Sequence, residues 1–122
     1  MMALNDVTQI VLDQANLKID SVIDDFGNNL NFQIENIDSN RSDPVLGSPL
    51  VIFPQNVIYA EETPRITIVY ETTGNDSALS WLTPQQTAGK RLPYVYSQNE
   101  PAYGRSWFPC QDTPSVKTPY FA

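Results

Sequence analysis

Arg65-Ile66-Thr67-Ile68-Val69-Tyr70-Glu71 places Ile66, Ile68 and Tyr70 on one face of an extended chain and Arg65, Thr67, Val69 and Glu71 on the other. A period of two is the signature of a half-buried β-strand. Leu17 to Ile23 repeats the alternation, with Leu17, Ile19 and Ser21 predicted on one side and Lys18, Asp20 and Val22 on the other. Asp24 to Asn29 is dense in residues that tolerate left-handed backbone or cap their own chain, so it reads as a turn. Leu30 to Ile34 alternates again and is predicted to pair back across that turn. Thr8 to Leu12 and Leu50 to Phe53 are short apolar strands, the second stopped by Pro54. Asp38 to Pro49 has the composition of a loop, Thr73 to Ser77 breaks the strand before it, and Ala78 to Trp81 is predicted to form one helical turn. No stripe of helical period is long enough to suggest a longer helix. The expected fold class is therefore all-β, an antiparallel, sandwich-like sheet arrangement.

Composition narrows the function classes. The 122 residues make about one domain, and 41% of them are hydrophobic. The formal net charge of -7 disfavours nucleic acid, which selects clustered Lys and Arg. No apolar run approaches the roughly 20 residues of a membrane-spanning helix. Met1 to Asp6 lacks the basic region and apolar core of a signal peptide, so a cytoplasmic location is expected. The chain has no histidine and a single cysteine, Cys110. That excludes an internal disulfide, a cysteine-rich zinc cage, a Ser-His-Asp or Cys-His arrangement and an HExxH helix within these residues.

The second half differs in texture. From Ala78 to Phe121 it is crowded with proline, glutamine and aromatic residues. Pro101 biases Glu100 away from helical backbone, which turns its carboxylate toward solvent, a neighbour or a ligand. Trp107-Phe108-Pro109-Cys110-Gln111-Asp112-Thr113-Pro114 reads as a rigid corner, because each proline fixes φ and removes a donor. Arg105 and Asp112 are suited to pair, the guanidinium fork matching a carboxylate. Cys110 has no histidine to activate it and reads as a small buried apolar group. A calcium loop in Asp38 to Asp43 lacks the required spacing.

Ser80-Trp81-Leu82-Thr83-Pro84-Gln85-Gln86-Thr87-Ala88-Gly89-Lys90, Pro93-Tyr94, Ser97-Gln98, Arg105 and Pro109 to Lys117 together resemble the zinc aminopeptidases of peptidase family M1, which include leukotriene A4 hydrolase. The likeness runs almost without gaps from Leu79 to Tyr120 and is alignable from about Gln9. It implies a saddle-type N-terminal β domain, incomplete at both ends, with the catalytic domain absent from these residues. Zinc would then belong to the parent enzyme, with no metal ligand, catalytic residue or cofactor in this part. The resemblance also assigns Gln98-Asn99-Glu100-Pro101 to the word that meets the substrate's α-ammonium. Glu100 is the amine-binding residue and Gln98 a neighbouring substrate contact, whereas Arg105, Cys110 and Asp112 form a structural corner. The Glu-Pro form of the word favours peptide cleavage over epoxide hydrolysis.

The expected partners are a peptide N-terminus and the catalytic domain of the same chain, with no nucleic acid and no membrane. Exposed strand edges are expected to promote self-association. The alternative, from another class, is a stand-alone β-sandwich interaction module that uses its aromatic-rich half as a partner surface.

Overall fold

The computed structural model describes residues 3–35, 46–75 and 77–119. The candidate calcium loop therefore lies outside the described residues, as does most of the predicted Asp38–Pro49 loop. Among the described residues seven strands follow in order: β1 (Ile10–Leu12), β2 (Leu17–Asp24), β3 (Asn31–Ile34), β4 (Leu50–Phe53), β5 (Ile66–Thr72), β6 (Leu79–Leu82) and β7 (Tyr94–Ser97). They form three antiparallel sheets, ordered β1-β4-β3, β2-β5 and β6-β7. The only helical elements among the described residues are single 3-10 turns at Pro84–Gln86 and Gly104–Ser106. None is long and apolar enough to cross a membrane.

The first two sheets share one core. Leu12, Leu50 and Ile52 from one sheet meet Val22 from the other, with Leu30 between them, and Ile10, Ile19, Phe32, Ile66 and Ile68 pack around this cluster. Register explains the selection. Ile52 sits between Ile10 and Phe32, and Leu50 between Leu12 and Ile34, so alternate residues of β4 project to the same side. Burying each of the large side chains stabilises the fold by about 1.5–3 kcal/mol.

Three local expectations are corrected. Val22 was expected opposite Leu17, yet both are buried. The β2–β5 register shifts between Ile19 and Ser21, and this bulge moves Val22 onto the core face and exchanges the face of everything after it. β3 does not pair back on β2. After one bridge between Ile23 and Asn29 the chain crosses over, and β3 joins β4 instead. On that edge of β2 the contact ends with Leu30 N–H donating to the Val22 carbonyl at 2.8 Å, and Asn31 to Ile34 run against Leu50 to Phe53. Ala78 to Trp81 is not a helical turn but runs into β6, because Leu79 to Leu82 finds a partner strand in Tyr94 to Ser97.

The Asp24 turn is held by its own carboxylate. Oδ1 accepts from the amides of Phe26 (2.9 Å) and Asn28 (2.8 Å), and Oδ2 accepts from Asn28 Nδ2 (3.0 Å). The Asn28 side-chain bond, aided by these amides, holds the Asp24 carboxyl below the ordinary carboxylate value.

Between β1 and β2 the chain makes a tight detour at Gln14 and Ala15, both buried. Gln14 Nε2 donates to the Ser48 carbonyl at 2.8 Å, and Ser48 N–H donates back to the Gln14 carbonyl at 3.2 Å. Gly47 lies against this detour at φ +64°, in the left-handed region. A Cβ there would run into the Gln14 carbonyl oxygen and would sit 2.6 Å from Ala15 Cα. Both are backbone atoms and cannot swing aside. Gly47→Ala is therefore expected to destabilise the domain by about 2 kcal/mol or more, read as a lower urea midpoint at unchanged slope. A wild-type midpoint would show that the two segments are not in contact.

Candidate functional site

The segment after β7 leaves the sheet and returns to the sandwich through one polar junction. Asp13, just past β1, exchanges backbone hydrogen bonds with Cys110: Asp13 N–H donates to the Cys110 carbonyl at 2.7 Å and Cys110 N–H donates back at 3.1 Å. Ala15 N–H donates to the Arg105 carbonyl at 2.9 Å. Asp112 N–H donates to Asp13 Oδ2 at 2.9 Å. Segments almost a hundred residues apart are thus stitched together main chain to main chain.

Arg105 is the centre of the junction. Its Nε donates to Asp112 Oδ2 at 2.9 Å, its Nη2 to the Asp112 carbonyl at 2.9 Å and its Nη1 to the Leu46 carbonyl at 3.2 Å. Nη1 also stands 3.3 Å from Asp13 Oδ1. The Asp112 carboxylate accepts the Arg105 backbone N–H as well, at 3.1 Å. Only 12% of the Arg105 side chain and 14% of the Asp112 side chain is exposed. A pair so enclosed contributes through satisfied hydrogen bonds, and removing either partner would leave the other buried without compensation.

Cys110 is half-buried in the same corner and unpaired. Burial, then the charges of Asp112 and Asp13, push its thiol up to about 11 against the opposing effect of Arg105. Two carboxylates beside a sulfur are the reverse of the electropositive setting that activates a cysteine.

Gln98 and Glu100 stand apart from this corner. Gln98 follows β7 directly and donates its N–H to the Ala78 carbonyl at 2.8 Å, extending the β6–β7 pairing by one bond. Glu100 is exposed in the turn that follows, and the Glu100–Pro101 bond is cis. Its carboxylate forms no ion pair with any described residue. Two concavities, of about 550 and 520 Å³, are lined by neither Gln98 nor Glu100. Both lie beside β1 and β5, on Ile10, Ile58, Pro64, Arg65 and Ile66. The β6–β7 hairpin that leads into the Glu100 turn exposes Trp81 and Val95 on one face and Tyr94 and Tyr96 on the other.

Ser106 was not singled out from the sequence. It is fully buried, and its hydroxyl accepts from Ala78 N–H and donates to the Tyr103 carbonyl, each at 2.9 Å. A serine inside a proline- and aromatic-rich stretch carries no pattern of its own; only its position between two backbone groups gives it meaning.

Among the described residues no group of three His, Cys, Asp or Glu side chains is placed to hold a metal ion. The corner's carboxylates, Asp13 and Asp112, are engaged by Arg105 and by backbone amides.

The chain matches the Peptidase M1 N-terminal domain across residues 1–122 and belongs to that family. Leucine aminopeptidase 2 of Pyricularia oryzae is 36% identical over 112 residues, covering 92% of this chain and 17% of that protein. The Candida glabrata protein of the same name is 40% identical over 116 residues, covering 95% and 16%. Among solved structures, native leukotriene A4 hydrolase from Saccharomyces cerevisiae superposes with a TM-score of 0.77 at 39% identity, over 97% of this chain and 17% of that one. Yeast leukotriene A4 hydrolase in complex with bestatin gives 0.74 at 41% identity, over 88% and 16%. The chain therefore spans about a sixth of the length of these relatives, in which the domain is part of a larger polypeptide.

The corner chemistry is directly testable. Alkylation of Cys110 by iodoacetamide in the folded protein is expected to be slow at pH 8 and to climb until about pH 11, because only the thiolate attacks and the raised value delays its formation. The unfolded chain should instead reach its plateau near the ordinary thiol value of about 8.5. Fast labelling of the folded protein at pH 7 would contradict the geometry of the corner.

Proposed function

We propose that this domain serves a zinc-dependent aminopeptidase as the non-catalytic part that recognises the free α-amino group of a peptide, through Glu100 with Gln98 beside it. The observation that carries the proposal is an exposed carboxylate, without an ion partner among the described residues, on a turn anchored at both ends. Family membership supplies the context. The family's zinc would have to be held elsewhere in the polypeptide, since this chain has no histidine and no suitable ligand cluster among its described residues.

The chemistry suits an exopeptidase. Once a neighbouring domain covers the turn, a desolvated Glu100 facing a substrate ammonium gains a charge-assisted hydrogen bond of about 1.5–3 kcal/mol. An internal peptide bond offers no such cation, and the carboxylate's desolvation then goes uncompensated, which rejects that substrate. Gln98, at the start of the turn, would contact substrate backbone in this reading. The hairpin that leads into the turn exposes Trp81 and Val95 on one face and Tyr94 and Tyr96 on the other, apolar groups suited to burial against the catalytic domain of the same chain. The rival, a free-standing interaction module, also accounts for exposed aromatics but not for the aminopeptidase relatives.

In the full-length protein, Glu100→Ala is expected to lower kcat/KM for an aminoacyl anilide by about tenfold to a hundredfold, with zinc content unchanged. Kinetics equal to the wild type would remove Glu100 from the site.

A further inference from the structure

Among the described residues, the turn that carries Glu100 is gripped at its start and at its end. At its start, Gln98 N–H donates to the Ala78 carbonyl at 2.8 Å. At its end, Tyr103 N–H closes the turn onto the Asn99 carbonyl at 2.9 Å, while the Tyr103 carbonyl receives the Ser106 N–H at 3.0 Å and the Ser106 hydroxyl at 2.9 Å. The same hydroxyl accepts Ala78 N–H at 2.9 Å. One oxygen therefore joins the residue that holds the beginning of the turn to the residue that ends it. Ser106 and Ala78 are both inaccessible to solvent, at 0% and 1% exposure, so no water stands ready to replace a lost bond. Ser106 itself cannot drift, because the neighbouring Arg105 is fixed to Asp112 and Asp13. Between these anchors Asn99, Glu100 and Pro101 are exposed, and Glu100 and Pro101 make no hydrogen bond to any described residue.

We propose that Ser106 is a positioning residue for amine recognition: its buried hydroxyl, bridging Ala78 and Tyr103, sets the direction in which the Glu100 carboxylate points. The inference rests on the amine-recognition role of Glu100. It assigns to Ser106 no contact with substrate. A hydroxyl is required because the bridge needs one acceptor and one donor on a single small atom. Alanine provides neither, and it leaves the Ala78 N–H buried without a partner. The turn would then sample several orientations, and a carboxylate displaced by an ångström loses much of its advantage.

The test uses the full-length zinc-loaded enzyme and two competitive inhibitors, leucine hydroxamate and its des-amino analogue 4-methylpentanoyl hydroxamate. Their Ki ratio isolates the contribution of the amine. Glu100→Ala should collapse the ratio, and Ser106→Ala should lower it by about tenfold while leaving the Ki of the des-amino compound unchanged. In the double variant Ser106→Ala should add nothing, because the two residues act as one unit. If Glu100→Ala leaves the ratio intact, the amine role itself fails. If Glu100→Ala collapses it but Ser106→Ala does not, or if Ser106→Ala weakens both inhibitors equally, the positioning role is overturned and the amine role stands. Should Ser106→Ala not fold, Ser106→Cys carries the test, since a thiol of similar size is a poorer donor and acceptor. A lowered ratio supports the proposal, and a wild-type ratio refutes it.

Discussion

The guanidinium of Arg105, enclosed between Asp112 and Asp13, is the constraint on which the second half of the molecule depends. The first two sheets explain themselves: alternating apolar residues bury Leu12, Val22, Leu30, Leu50 and Ile52 in one cluster. The region after β7 has no such core. It is short, rich in proline and largely exposed, and hydrophobic burial alone would leave it without a defined path. Charge-assisted hydrogen bonds, together with the Asp13–Cys110 backbone exchange, give it one. A buried ion pair is a costly way to gain stability and an effective way to specify geometry, because few alternative arrangements satisfy all of its donors. Here the donors of Arg105 are met by Asp112, Asp13 and Leu46 together.

This division of labour suits a domain that presents a loop to a neighbour. The sandwich supplies mass and rigidity, the corner transmits that rigidity across to Arg105 and Ser106, and Ser106 passes it to the turn that carries Glu100. Ser106 ties to the turn through backbone groups, so the exposed side chain of Glu100 is left free of the junction. The corner's cysteine is consistent with a structural setting: raised to about 11, its thiol is chemically quiet where a reactive one would compromise the junction.

Much of the sandwich was legible in the alternation of Leu17 to Ile23, Leu30 to Ile34 and Arg65 to Glu71, because a period of two encodes facing directly. What failed was long-range choice. The β2 bulge between Ile19 and Ser21 inverts the faces after it, and nothing in LKIDSVI marks where the extra residue falls. β3 leaves β2 after a single bridge and pairs with β4 almost twenty residues further on, a choice that local alternation does not encode. Leu79 to Leu82 is too short to declare itself strand or helix without Tyr94 to Ser97 opposite it. In the loop region, chemistry was easier to name than geometry. Residue types suggested that Arg105 and Asp112 suit one another, but Asp13 as the third member and Ser106 as a bridge depend on proximity that no local spacing reveals.

The central claim is that the Arg105 junction, and not burial, orders the segment after β7. Hydrogen exchange of the Arg105→Met variant under native conditions tests it most directly. The account predicts that the amides of Asp13, Ala15, Tyr103, Cys110 and Asp112 lose protection together, while those of β2, β4 and β5 keep it. Undiminished protection at Cys110 and Asp112, or an equal loss across both sheets, would contradict it.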